Sequence, residues 1–274
     1  MNHNNAGPTD RATTEALLEL ARTLAVTAGA FLLDGQHRPR MLVESKSSAT
    51  DLVSEMDRQA ETMIVQGIVA ARPNDGIIGE EGTDRKSESG IRWAIDPLDG
   101  TVNYLYGLPM WSVSIGAIDG EGSIVGVVAI PALREVYSAR RGGGAWRSVD
   151  GAEPERLAVS EQTDLGHSLV ATGFSYNSDI RTRQASVIGS LLPTVRALRR
   201  NGAAAVDLCW VAGGRMDAYY EHGTHIWDRA AGQLLVEEAG GRTSDAAGSE
   251  PSDTMILATN GVLHNTLADL VRWR

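Results

Sequence analysis

The stretch Trp93-Ala94-Ile95-Asp96-Pro97-Leu98-Asp99-Gly100-Thr101-Val102-Asn103-Tyr104 constrains this chain more than any other. Trp93 to Ile95 reads as the end of a buried strand, with Asp96 and Asp99 on either side of a proline. Pro97 has a fixed φ and no N–H, so a central strand is expected to stop there. Gly100 lacks a Cβ and admits close approach of a ligand to the backbone. Thr101 offers a hydroxyl and opens a helical turn, whose free N–H groups form an anion site. Two carboxylates at a strand end, beside donors for an anion, are what metal-assisted phosphate chemistry needs. Asp-Pro and Asp-Gly are also ordinary turn formers, so this stretch alone leaves both readings open.

Two further acidic elements decide between them. Gly79-Glu80-Glu81-Gly82 follows the apolar pair Ile77-Ile78. Trp227-Asp228-Arg229-Ala230-Ala231-Gly232 puts Asp228 where an apolar helix begins. Three separated acidic elements, each at an element edge, are poorly explained as solvated charge. Together they resemble the inositol monophosphatase family of magnesium-dependent, lithium-sensitive phosphatases. That family carries Gly-Glu-Glu, then Asp-Pro-(Ile/Leu)-Asp-Gly-Thr-x-Asn, then Trp-Asp-x-Ala-Ala-Gly. Lys46-Ser47-Ser48-Ala49-Thr50-Asp51-Leu52-Val53 through Asp57 is similar to its early segment, and the resemblance runs from about Lys46 to Gly241.

The resemblance implies a layered α/β or α+β fold, the αβαβα sandwich of the sugar-phosphatase type. It implies one catalytic domain over residues 13–274, made of two closely packed halves with a break near 150–165, after a disordered tail at 1–12. It implies two or three Mg²⁺ per active site. Glu80, Asp96 and the Leu98 carbonyl would hold one ion, and Asp96, Asp99 and Asp228 another. Glu80 and Thr101, the latter oriented by Asp57, would position the attacking water. Asp99, Gly100, Thr101, Gly202, Ala204, Glu221 and Asp228 would contact substrate. Glu221 lies in Tyr219-Tyr220-Glu221-His222-Gly223, similar to the family segment whose glutamate binds sugar hydroxyls. Ala203 stands where the family has threonine or serine, which puts a hydroxyl contact there in doubt.

The implied activity is hydrolysis of myo-inositol 1-phosphate, with a sugar or polyol phosphate as the small-molecule partner and a homodimer as the assembly. Histidinol-phosphate, fructose-1,6-bisphosphate and adenosine bisphosphate phosphatases are alternatives of the same family. The Gly-Asp pair that histidinol-phosphate phosphatases carry at Gly202-Ala203 is missing. An alternative of a different class is a regulatory protein that binds transcription machinery. His222 and His225 flank Asp228, but the other acidic elements carry no histidine, so zinc is disfavoured.

Composition bears on partners and compartment. A formal net charge of −10 argues against nucleic-acid binding and poses a problem for an anionic substrate, which cations between the carboxylates would solve. No apolar run is expected to span a membrane, and Met1-Asn2-His3-Asn4-Asn5 lacks the features of a signal peptide. The single cysteine, Cys209, sits in an apolar run and fits a buried thiol in a reducing cytoplasm.

Along the chain, apolar spacing predicts helices over 13–33, 52–71, 184–192, 203–213, 228–240 and 263–273. Asp51 reads as an N-cap, and Asp57 by pattern alone lies on the solvated face of its helix. Strands are expected at 77–78, 111–117, 123–130, 135–140, 144–147, 168–172, 195–198, 216–220, 243–245 and 256–258. Residues 83–90 read as a mobile polar loop, and Gly142-Gly143-Gly144 as a hairpin turn rather than a phosphate loop. The N-terminus of the helix after Gly202 is expected to offer N–H donors to a ligand.

Overall fold

The computed structural model describes residues 11–36, 43–45 and 52–273. The first ten residues of the expected tail, and the segment Lys46 to Asp51 with its expected N-cap, lie outside the described residues. Helix α1 (Arg11–Gln36) places Leu17, Ala21, Ala25, Ala28 and Leu32 on one face at three- and four-residue intervals, and all five are buried. By length and composition α1 is apolar enough to cross a membrane, contrary to expectation. Here its apolar face packs in the protein core, and Arg22 donates to the Ser138 hydroxyl (2.9 Å).

Strands β1 (Val43–Ser45) and β2 (Leu52–Ser54) pair antiparallel. The expected helix from Leu52 therefore begins three residues late, as α2 (Glu55–Ala71), because β1 takes the ladder positions of Leu52–Ser54.

The first sheet holds β3 (Gly76–Gly79), β4 (Asp84–Arg85) and β5 (Arg92–Asp99), followed by the short helix α3 (Thr101–Tyr106). It continues through β6 (Ser112–Asp119), β7 (Gly122–Ile130), β8 (Glu135–Arg140), β9 (Gly144–Val149) and β10 (Glu155–Arg156). Its order is β10-β9-β8-β7-β6-β5-β3-β4, antiparallel except for β3 beside β5. Two expectations are corrected here. Asp84–Arg85 is an edge strand on β3 within the segment read as a loop. And β5 does not stop at Pro97. Asp96 pairs with Ser114 and Asp99 with Ser112, so Pro97 and Leu98 together face one residue of β6. In that bulge a missing N–H breaks no ladder bond.

The second sheet is built from β11 (Leu169–Thr172), α4 (Ser178–Leu191), β12 (Ala197–Arg199), α5 (Ala204–Ala212) and β13 (Ala218–His222). Then come α6 (Ile226–Glu238), β14 (Arg242–Ser244), β15 (Met255–Thr259) and α7 (His264–Val271), and the strand order is β12-β11-β13-β15-β14. Helix α4 begins earlier than its apolar pattern, because the Asn177 side chain accepts from the Asp179 and Ile180 N–H groups. Cys209 is buried in α5.

Three apolar clusters define five layers. The first joins α1 and α2 to the first sheet, the second joins both sheets to α5 and α6, and the third joins the second sheet to α4 and α7. This is the αβαβα sandwich. The middle layer is set by close approach. Gly116 of β6 pairs with Gly126 of β7, and a Cβ on Gly126 would lie 2.7 Å from the Cα and carbonyl oxygen of Ala231 in α6. Two small residues per strand pair thus let α6 lie directly on the sheet.

Gly126→Ala is expected to lower stability by about 1–3 kcal/mol, the usual result of overpacking where backbone must move. Urea unfolding checks this, and an unchanged midpoint would mean that α6 has room to shift.

Candidate active site

The ends of several elements converge on one cavity of about 500 Å³. Glu80 follows β3. Asp96, Leu98 and Asp99 come from the bulged end of β5, and Gly100 and Thr101 from the start of α3. Gly202, Ala203 and Ala204 lead into α5, Glu221 ends β13, and Asp228 lies in the first turn of α6. All of them line the cavity. Asp57 does not line it but stands behind Thr101.

Asp57 is 1% exposed, so the pattern reading of a solvated carboxylate is wrong. Asp57, Ala60, Glu61, Ile64 and Ile68 form one buried stripe, whose first part is acidic rather than apolar. The Thr101 hydroxyl lies 3.0 Å from the Leu98 carbonyl oxygen and 3.4 Å from Asp57 Oδ2, with its single proton shared between the two acceptors. Gly100 sits at φ 87°, and a Cβ there would lie 2.8 Å from the Met110 carbonyl oxygen.

Each aspartate is anchored by backbone. Asp96 Oδ1 accepts the Leu98 N–H (3.0 Å), and Asp228 Oδ2 accepts the His225 N–H (2.6 Å). Asp99 accepts the Ala204 N–H at Oδ1 (3.0 Å), and the Ala205 N–H (2.8 Å) and Ser112 hydroxyl (3.2 Å) at Oδ2. Ala203, the N-cap of α5, has no capping side chain, so Asp99 caps this helix from the other half of the molecule. The α5 donors expected for a ligand, Ala204 among them, are therefore taken by Asp99.

Burial pushes the carboxyl of Asp96 well above the usual range, and the negative charges of Glu80, Asp99, Asp228 and Asp57 add to the effect. Asp228 is raised by burial and then by Glu80. Asp99 rises only to about 6, because burial is opposed by its N–H and hydroxyl donors. Burial lifts Glu221 to about 7 against the hydrogen bond from the Tyr219 hydroxyl (2.6 Å) and the charge of Arg200. A Cβ on Gly173 would fall on the Glu221 carboxylate and displace it.

Several contributors had no reading in sequence. Arg200 is the one arginine or lysine among the described lining residues, two positions before Gly202. Tyr219 shares a strand face with Glu221, a period-two signal that was available. Ser112 reaches Asp99 only through the β5–β6 register. Gly173, Phe174 and Tyr176 come from the loop after β11. His222 is buried and stacked on Trp273 (4.1 Å), with burial lowering it to about 4, and His225 lies over Trp227 (4.8 Å).

The donors are all oxygen, which suits a hard divalent cation and not zinc. Among the described residues no three acidic, histidine or cysteine side chains close on one point as a ready-made cage. Mg²⁺ keeps several waters and needs few direct carboxylates, so the looser set fits it.

A family model described as the inositol monophosphatase family matches residues 13–273. An inositol-1-monophosphatase of Mycobacterium tuberculosis, SuhB, is 42% identical over 241 residues, covering 84% of this chain and 82% of that protein. A protein named Nus factor SuhB, from Xylella fastidiosa, is 39% identical over 256 residues, with 90% and 91% covered. The structure of extragenic suppressor protein suhB from Bartonella henselae superposes with a TM-score of 0.88 at 32% identity, covering 94% of this chain and 98% of that one. The Thermotoga maritima IMPase gives a TM-score of 0.84 at 32% identity, with 93% and 96% covered.

The raised carboxyls set a pH dependence. Each holds its proton more tightly folded than unfolded, so its contribution is full below the ordinary carboxylate range and is lost as pH rises through the folded value. That value is about 6 at Asp99, about 7 at Glu221 and well raised at Asp96 and Asp228. His222 and His264, both lowered to about 4, act in the opposite sense, but only below the unfolded histidine range. The four carboxyls outnumber the two histidines, so the metal-free protein is expected to lose thermal stability as pH rises from about 5 to about 7, the interval below the folded value of Glu221. Added Mg²⁺ should restore more of it at the upper end. A melting temperature that rises across this interval in chelator would show that repulsion is not what the site carries.

Proposed function

Because the chain belongs to the inositol monophosphatase family, we propose that it is a Mg²⁺-dependent phosphomonoesterase acting on myo-inositol 1-phosphate. One observation carries this reading: four carboxylates from three separate segments line one cavity with the Leu98 carbonyl and the Thr101 hydroxyl, though burial and mutual repulsion oppose their charge. The family is metal-dependent, and the oxygen donors fit. Asp96 would serve two ions, with Glu80 and the Leu98 carbonyl completing one site and Asp99 and Asp228 the other. Bound Mg²⁺ supplies charge for the phosphate oxygens and the leaving alkoxide, and makes a water acidic enough to attack phosphorus.

The chain's own residues then act as follows. With the Leu98 carbonyl engaged elsewhere, the Thr101 hydroxyl gives its hydrogen bond wholly to Asp57, which leaves the threonine oxygen free to accept a hydrogen bond from the attacking water. Glu80 accepts the water's other hydrogen bond and takes that one proton as the new O–P bond forms; the proton for the leaving alkoxide comes from solvent water as the old P–O bond breaks. The N–H groups of Gly100 and Thr101 take phosphate oxygens as charge develops. No phosphoenzyme is involved, because the nucleophile is water. Glu221, held by Tyr219 against Gly173, accepts from the polyol hydroxyls. A homodimer in the cytoplasm, inhibited by lithium, completes the reading by family likeness.

Phosphate release over a panel of inositol, histidinol, fructose and nucleotide phosphates, with and without Mg²⁺, tests it. Asp96→Asn should abolish release while the protein stays folded, because both ion sites lose their shared ligand. Near-normal turnover at saturating Mg²⁺ would sink the assignment.

Recognition separates from chemistry at Glu221. Glu221→Ala should raise KM for inositol phosphate more than it lowers kcat, as loss of ground-state binding does. It should matter less for p-nitrophenyl phosphate, which has no hydroxyls to read. Equal losses on both substrates would refute the role.

A second reading comes from relatives named Nus factor SuhB, such as that of Xylella fastidiosa. Binding to transcription machinery would be compatible with an intact active site. A partner retained by the Asp96→Asn protein would support this as a separate, noncatalytic role.

A further inference from the structure

Glu61 lies one helical turn after Asp57 on the same buried face of α2 and is 4% exposed. Its Oε2 accepts the Glu81 N–H (2.8 Å), and its Oε1 accepts the Thr83 N–H (3.1 Å) and the Thr83 hydroxyl (2.6 Å). All three donors belong to the turn that carries Glu80. The Gly79 N–H closes that turn on the Thr83 carbonyl (2.7 Å), and the Glu80 N–H bonds the Ile95 carbonyl of β5 (3.1 Å). The Glu61 carboxylate fills the inside of the turn. It fits because residue 79 is glycine, where a Cβ would fall on the carboxylate.

A plain packing role explains this poorly. Burying a carboxylate without a cation is expensive, and among the described residues no arginine or lysine pairs with Glu61. Like charges at i and i+4 also destabilise a helix. The acid does match the turn, since an ionised carboxylate only accepts and here meets three donors. A glutamine would turn its NH₂ against one of the backbone N–H groups. Asp57, one turn earlier, does the corresponding thing for the Thr101 hydroxyl.

We propose that Glu61 is a positioning residue: it locks the Gly79–Thr83 turn so that Glu80 points into the cavity, and with Asp57 it lets α2 hold two catalytic segments in one mutual register. This rests on the reading of Glu80 as an ion ligand.

Two full-length variants test the proposal. Glu61→Gln removes an acceptor. Gly79→Ala keeps the acid but displaces its carboxylate, with no backbone strain because Gly79 does not have positive φ. Inositol phosphate hydrolysis is measured against Mg²⁺ concentration. So, without substrate, is the rise in melting temperature caused by Mg²⁺. In both variants the half-saturating Mg²⁺ should rise about tenfold in both readouts, and kcat should fall about 100-fold with KM near the parent's, the scale of an ångström-sized misplacement. Variants that melt earlier without Mg²⁺, yet keep the parent's half-saturation and kcat, would overturn the positioning role. If Glu61→Gln does not fold, Gly79→Ala alone decides. A parent protein with no Mg²⁺ response in either readout would overturn the phosphatase reading and this proposal together. A responsive parent with unchanged variants overturns this one alone.

Discussion

The structure depends on buried negative charge that is held, among the described residues, by backbone donors rather than by paired cations. Two buried acids elsewhere, Glu135 and Asp75, are neutralised by arginine. Arg215 forks onto Glu135 (2.9 and 2.6 Å), and Arg72 and the Trp93 indole hold Asp75. Asp96, Asp99, Asp228 and Glu61 accept instead from backbone N–H groups, and among the described residues none of them forms an ion pair. Backbone donors fix the direction of a carboxylate and lower the cost of burying it, but they bring no full positive charge. What results is a rigid oxygen-lined cavity with an unmet demand for cations. An arginine among these acids would stabilise the fold and remove the demand.

The five layers exist to bring those backbone donors together. The N-terminus of α5 meets the end of β5 because both sheets pack on the middle layer. Asp99 then joins the halves by capping a helix whose own N-cap, Ala203, has no suitable side chain. Helix α6 delivers Asp228 from the other side, and its distance from β6 and β7 is set by Gly116 and Gly126. The geometry of the site is therefore inseparable from the packing of the core.

The three acidic elements were legible in the sequence because they are local, and the layer order followed from the family resemblance they carry. Asp-Pro-Leu-Asp-Gly-Thr declares a strand end and a turn in one stretch, and the apolar spacing of α1, α6 and β7 needs no distant partner. What was not legible was tertiary. β5 passes Pro97 because β6 accommodates a bulge. Leu52–Ser54 leave α2 because β1 offers them a ladder. Asp57 looked solvated because periodicity counts apolar residues, whereas the buried stripe of α2 begins with two acids. The α5 donors looked available because nothing near them in sequence announces Asp99 as their cap. In each case a contact between remote segments overrode a sound local preference.

The site divides along the same line as the fold. The first sheet, α2 and α3 supply Glu80, Asp96, Asp99, Asp57 and Thr101, the groups proposed above to act on phosphate and water. The second sheet and its loops supply Glu221, Gly173 and Arg200 on the opposite wall of the cavity, with Tyr219 holding Glu221. Helices α5 and α6 both pack on the two sheets, and α6 brings Asp228 to the site. On the proposed reading, a change at Gly173 or Arg200 would alter what the cavity accepts, since neither residue donates to Asp96, Asp99 or Asp228. A change at Gly126 or Ala203 moves a middle-layer helix and so reaches both halves at once. On that reading substrate range would be separable from chemistry in this architecture, while chemistry would not be separable from stability.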